Sequence, residues 1–267
     1  MNAPSLGRLF QHTAQRLPKK AAFLTKVAGN FEPILWENAA RDIYAIASAF
    51  LSMGLKAQDR VAIFSENRPE WAMTDLAAQL VGIITVPIYP SLMPAEAQYI
   101  LADSGASLVA VSNKGQFEKI AAVQKNLPAL KGVVGFDPSL SVSGADITVP
   151  LFLWRELVKT KLRPDLDSLA AQVSGEAIAS IIYTSGTTGS PIGVLLTHTN
   201  FITNVVGCRD TLKMDENDLH LSFLPLCHVF ERMAGHYLMV YIGATIAYAE
   251  DMESVPKNIS EIKPTFL

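Results

Sequence analysis

The chain has 267 residues, 49% hydrophobic and 18% charged, which excludes a disordered segment and leaves one large domain or two small ones. Its formal net charge of -3 supplies no basic field for nucleic acid. Two cysteines, Cys208 and Cys227, lie far apart without a C-x-x-C spacing. This argues against a disulfide framework or zinc site and makes a reducing cytoplasm the expected location.

In chain order, Ser5 is placed to cap a first helix whose Leu6, Leu9, Phe10, Thr13 and Leu17 share one face, with Pro18 stopping it. Ala21 to Val27 and Phe31 to Trp36 read as two strands around the turn pair Gly29-Asn30. An amphipathic helix follows over about Glu37 to Met53, closed by Gly54. From Asp59 strands and helices alternate. Strands are expected at Val61–Phe64, Ile83–Ile88, Leu108–Val111 and Gly132–Phe136. Helices are expected from Glu70 to about Val81, from Pro94 to about Asp103, and over Phe117–Gln124. Such alternation means right-handed crossovers and a mostly parallel sheet with helices on both faces, so the fold class is α/β. Ligands then bind beyond the carboxyl ends of the strands. The loop Ser65–Pro69 lies on that side and reads first as a capped turn into the next helix.

Residues 137–150 read as an exposed connection and 151–172 as a short helical excursion. Asn200 is placed to cap a helix over Phe201 to about Leu212. A strand at Leu219–Leu224, a helix from about His228 to Ile242, a strand at Ala244–Ala249 and a helix near Val255–Ile262 complete the pattern. The N-terminus lacks the apolar core of a signal peptide. The uncharged apolar run Met233 to Ala249 contains His236 and Gly243 and falls short of the roughly 20 apolar residues that span a bilayer, so no transmembrane helix is expected.

Two stretches carry chemistry. The first runs from Ile181 to Val194. Apolar strands enter and leave a loop containing Thr184, Ser185, Gly186, Thr187, Thr188, Gly189 and Pro191. Glycines let the backbone turn sharply and approach an anion, and hydroxyls add donors, which suits phosphate; the alternative is a polar hairpin turn. It is not a Walker A loop, because no Gly-Lys-Ser/Thr follows Gly186 or Gly189, and this excludes a P-loop kinase or NTPase. The second is Ser222-Phe-Leu-Pro-Leu-Cys-His-Val-Phe-Glu-Arg232. A strand ends in Pro and His228 opens a helix, where the helix N-terminus favours a nearby anion. A satisfied structural histidine is the alternative, and a first-turn ion pair or solvated face is that for Glu231-Arg232. His220, His228 and His236 stand eight apart, which is not a ligand spacing on one helix.

The string Tyr183-Thr-Ser-Gly-Thr-Thr-Gly-x-Pro-x-Gly-Val-x-Leu-Thr-His198 closely resembles the signature of the adenylate-forming superfamily. The second stretch, with Ser65-Glu-Asn-Arg-Pro-Glu-Trp71, resembles its long-chain acyl-CoA synthetase branch. The resemblance implies two stacked, mostly parallel sheets flanked by helices. Residues 59–199 would form one subdomain ending in the phosphate loop, and 1–58 would pack with 200–267 in a second. It implies that Thr184, Ser185, Gly186, Thr187, Thr188 and Gly189 hold the phosphates of ATP, that Thr184 also meets Mg2+, and that His228 lies by the acyl carboxylate. The substrates would be a long-chain fatty acid, ATP and CoA, with peripheral association at the inner face of a membrane compatible with them. The family's later adenine, ribose and catalytic-lysine motifs are missing, so the chain looks like an N-terminal portion, expected to be inactive alone and to end on an apolar strand with an unpaired edge. Where the family pattern has Lys, this chain has Ile192. That keeps open the alternative of a non-catalytic nucleotide- or acyl-binding fragment.

Overall fold

The computed structural model describes residues 4–142, 147–185 and 191–267. Helix α1 (Leu6–Arg16) is capped by Ser5, whose Oγ accepts from the Arg8 amide. Strands β1 (Ala21–Val27) and β2 (Asn30–Leu35) form an antiparallel hairpin. The turn sits one residue earlier than the expected Gly29-Asn30. Ala28 and Gly29 take positive φ of 48° and 87°, and Asn30 already pairs with Val27. A two-residue hairpin loop needs positive φ at both central positions, and the register left those positions to Ala28 and Gly29. Helix α2 (Trp36–Ser52) follows, with Gly54 at φ 85° beyond it.

The alternating region comprises β3 (Arg60–Phe64), α3 (Pro69–Leu80), β4 (Ile84–Ile88), α4 (Pro94–Ser104), β5 (Leu108–Val111), α5 (Lys114–Val123), β6 (Gly132–Gly135), β7 (Leu151–Leu153), α6 (Trp154–Leu157), α7 (Leu166–Gln172), β8 (Ile178–Ser185) and β9 (Pro191–Thr197). The stretch expected as a helical excursion therefore begins with a short strand on the sheet edge. The strand order is β7-β6-β5-β3-β4-β8-β9, parallel except for the antiparallel pair β8/β9.

The remaining elements are α8 (His198–Leu212), β10 (Leu219–Ser222), α9 (Val229–Glu231), a π-helical segment Arg232–Leu238, α10 (Met239–Ile242), β11 (Thr245–Tyr248) and α11 (Val255–Ile262). Helix α8 starts earlier than expected. Thr197 is its cap, and Asn200 sits three residues in, completing a reciprocal capping box. The second sheet has the order β10-β11-β1-β2, so the first hairpin pairs with strands from the far end of the sequence. Phe266 makes one parallel bridge to His220 beside it.

Strand alternation explains the layering. Val61 and Ile63 of β3 join a core shared with α1, α2, α3 and the second sheet, whereas Ala62 and Phe64 join a separate core under α4 and α5. Helix α3 lies inside the shared core; of its residues only Glu70 is not fully buried. Side chains of the size of Trp36, Phe50 and Trp71, all fully buried, each contribute about 2–3 kcal/mol to holding the layers together. Among the described residues no helix is long and apolar enough to cross a membrane.

Candidate functional site

A cavity of about 470 Å³ opens beyond the carboxyl ends of β4 and β8. Pro87 and Tyr89 form one part of its wall, Tyr183 and Thr184 another, and His228 and Val229 close it from the start of α9. This is where an open parallel sheet presents ligands. The ladder between β4 and β8 is a single registered pair, Thr85 with Ser180, and it stops before Pro87, which has no N–H to give. The strands can therefore part where the cavity begins.

Thr184 and His228, distant in sequence, are thus brought to one cavity. Thr184 is exposed. His228 is also exposed and is the N-cap of its helix, with Nδ1 accepting from the Phe230 amide at 3.2 Å. Nε2 is left to face a ligand. Of Ser185 only the backbone is described, and Gly186, Thr187, Thr188 and Gly189 lie outside the described residues.

Glu231 and Arg232 are neither a mutual ion pair nor a solvated face. Glu231 is buried, accepting from Ser222 Oγ at 2.6 Å and standing 3.0 Å from His220 Nε2. Arg232 is fully buried and faces the opposite way, onto Asp75 of α3, Thr85 of β4, Ser180 of β8 and Tyr237. Burial alone would raise the Asp75 carboxyl, but the Arg232 guanidinium, aided by His236 and Tyr237, outweighs it and holds the group well below the usual carboxylate range. The readable sign in the sequence was a lone acid inside an apolar helix, Asp75 between Trp71 and Leu80, matched by Thr85 and Ser180 inside apolar strands.

Other walls are pinned by neighbours. Tyr183 donates to Asp103 at 2.5 Å, and burial, then that carboxylate, pushes its hydroxyl pKa up. Lys119 Nζ donates to the carbonyls of Pro90 and Leu92, fixing the segment after β4. The Ser65–Pro69 loop does more than turn into α3. Arg68, at the N-cap, makes no capping bond and pairs instead with Glu70 and the Ser112 carbonyl, while Asn67 spans to the His228 loop, donating to Ser222 Oγ and the Leu224 carbonyl and accepting from the Leu226 amide. A smaller, mostly apolar hollow of about 230 Å³ shares Val229 and is lined also by Phe201, Phe230 and Met233.

Among the described residues no group of three or more His, Cys, Asp or Glu could hold a metal ion. Thr184 offers one neutral oxygen, so this donor set does not by itself fit a resident Mg2+, which takes several charged or water oxygens.

The family model for AMP-binding enzymes matches residues 10–267. A fatty acyl-CoA synthetase A of Dictyostelium discoideum is 34% identical over 250 residues, covering 90% of this chain and 36% of that protein. The long-chain-fatty-acid–CoA ligase FadD15 of Mycobacterium tuberculosis is 30% identical, covering 96% of this chain and 42% of its own length. Two solved structures share the fold. A long-chain-fatty-acid–CoA ligase of Archaeoglobus fulgidus superposes with a TM-score of 0.82 at 22% identity, over 99% of this chain and 51% of that one. An anthranilate CoA ligase in complex with anthranoyl-AMP gives 0.86 at 22% identity, over 100% and 50%. The chain thus spans about two fifths of the length of these curated relatives, and it belongs to the AMP-binding enzyme family.

Proposed function

We propose that this chain forms one wall of the adenylation site of an AMP-forming fatty acid–CoA ligase. The observation that carries the reading is the cavity beyond β4 and β8 that brings Thr184 and His228 together. In that reaction a fatty carboxylate oxygen attacks the α-phosphate of ATP, an acyl–phosphate bond forms, and pyrophosphate leaves. The CoA thiol then displaces AMP. No side-chain nucleophile is needed, because the acyl-adenylate is itself the activated species, so the protein's contribution is positioning and charge neutralisation.

Thr184, with Ser185, Gly186, Thr187, Thr188 and Gly189, is the proposed cradle of the phosphates. Mg2+ would enter with ATP. His228, exposed at a helix N-terminus, is the group proposed to meet the carboxylate. The apolar hollow sharing Val229 accords with an apolar acyl group. A cytoplasmic location, with peripheral contact at the inner face of a membrane, is part of this proposal.

Calorimetric titration with ATP and with a non-hydrolysable palmitoyl-adenylate analogue tests the reading. Binding that weakens in Thr184→Ala and His228→Ala supports it, and binding indifferent to both overturns the assignments. Formation of acyl-CoA from palmitate, ATP and CoA is expected to be absent for this chain alone. One observation favours a second reading, binding without turnover: Ile192, apolar and 52% exposed, stands beside Thr184 where the family carries a lysine.

A further inference from the structure

We infer that Arg232 is the positioning residue of this site, locking the His228 wall of the cavity to the Thr184 wall. The inference rests on the reading of the site proposed above. Arg232 lies one helical turn after His228, and its amide donates to the His228 carbonyl at 3.1 Å. Its guanidinium reaches across to the sole registered pair between β4 and β8. Nη1 donates to Ser180 Oγ at 2.6 Å and Nη2 to Thr85 Oγ1. The Ser180 hydroxyl in turn donates to the Thr85 carbonyl at 2.8 Å. From that pair β4 runs on to Pro87 and Tyr89, and β8 runs on to Tyr183 and Thr184, all of them in the cavity wall. One rigid fork therefore ties three pieces of the wall at their common root.

The chemistry of the pair supports a role beyond stability. Asp75 and Arg232 are both fully buried. Burying two ions costs desolvation that their attraction barely offsets, so an apolar pair of similar volume often folds as well or better. What an apolar pair cannot do is hold Thr85 and Ser180 in a fixed geometry. A lysine would keep the charge but lose the planar fork that serves several oxygens at once. The helix is π-wound through Arg232–Leu238, a local widening that helices retain mainly where a side chain must be aimed.

The test compares Arg232→Lys and the double variant Asp75→Leu/Arg232→Met with the parent chain, by amide hydrogen exchange and analogue binding. The expected result is cooperative melting in both variants, with amides of Phe230 and Thr184 exchanging about tenfold faster while Val109 and Val133 keep parental rates. Affinity for the palmitoyl-adenylate analogue should fall about tenfold in the double variant even where its melting temperature equals the parent's. Parental exchange at Phe230 and Thr184, or acceleration that includes Val109 and Val133, overturns the inference. Failure of both variants to fold overturns it as well, since a positioning residue is dispensable for folding. If the parent chain does not bind the analogue, the reading of the site fails, while the exchange pattern still decides the role of Arg232.

Discussion

Thr184 and Ile192 are directly opposed on the antiparallel strands β8 and β9, so their side chains project from the same face. The residue that departs from the family signature is therefore the cross-strand partner of a proposed phosphate ligand. Ile192→Lys would root a lysine with its Cβ about 5 Å from the Thr184 Cβ and carry an ammonium on a flexible stem beyond the same face. At an exposed position one such charge contributes about 1 kcal/mol toward a polyphosphate, a gain of about fivefold in affinity. Calorimetry with ATP at low and at 0.3 M salt should show that gain shrinking as salt rises. An unchanged affinity would mean that the backbone of the loop alone handles the phosphates.

Gly235 lies in the π-helical segment, where a Cβ would collide with the carboxylate of Glu231 and come within 2.6 Å of His220 Nε2. Ordinarily Gly→Ala in a helix gains about 1 kcal/mol. Here Glu231 and His220 are themselves buried and bonded to each other, so neither can swing out to solvent. Overpacking should win, and Gly235→Ala is expected to lose about 2 kcal/mol net, read as a lower urea midpoint with an unchanged slope. A midpoint equal to the parent's would mean that Glu231 relocates freely.

How legible this was depends on range. Ser5, Gly54 and Pro94 act within a turn of their own helices, and the structure places each where local chemistry demands. The turn at Ala28-Gly29 and the Thr197 cap slipped from expectation because β1 register and strand β9 decided between neighbouring candidates. The pairing of β1 with β11 and the meeting of Arg232 with Asp75 carry no local signal, since both join residues far apart in sequence. For Arg232 the sequence left open a motif residue and a first-turn ion pair or solvated face, because a charge in a first helical turn is usually exposed. Only the unexplained Asp75 within an apolar helix hinted at a buried partner. His228 and Thr184 were found by motif, and their shared cavity is a product of topology.

His198 ends the signature motif and is completely buried, its Nδ1 accepting from the Leu6 amide. Burial lowers its pKa to about 4, only partly offset by Asp75. The folded state therefore keeps it neutral at a pH where the unfolded chain, near 6.5, already binds a proton. Between those values the unfolded state holds more protons, so stability rises with pH. The contribution is complete above pH 6.5 and is lost as pH falls toward 4, about 3 kcal/mol in all. Denaturant unfolding at pH 4.5 and pH 7 should show the difference. His198→Asn, which retains an acceptor for Leu6, should flatten it, and an equal slope in the variant would assign the dependence to other groups.

Asn67 joins the loop before α3 to the loop before His228 with three hydrogen bonds, one of them from the amide of the buried Leu226. Asn67→Ala leaves that amide without its partner and is expected to cost about 2 kcal/mol. The next residue supplies a local reporter. Cys227 is buried, and burial pushes its thiol up to about 12, so in the parent chain it should resist disulfide reagents. In a Cys208→Ser background, Asn67→Ala should speed labelling of Cys227 by about tenfold or more through local opening, well below the denaturant range of global unfolding. Labelling that accelerates only in step with global unfolding would show that Asn67 supports the fold as a whole, and that the His228 loop keeps its place by packing around Leu226 and Cys227.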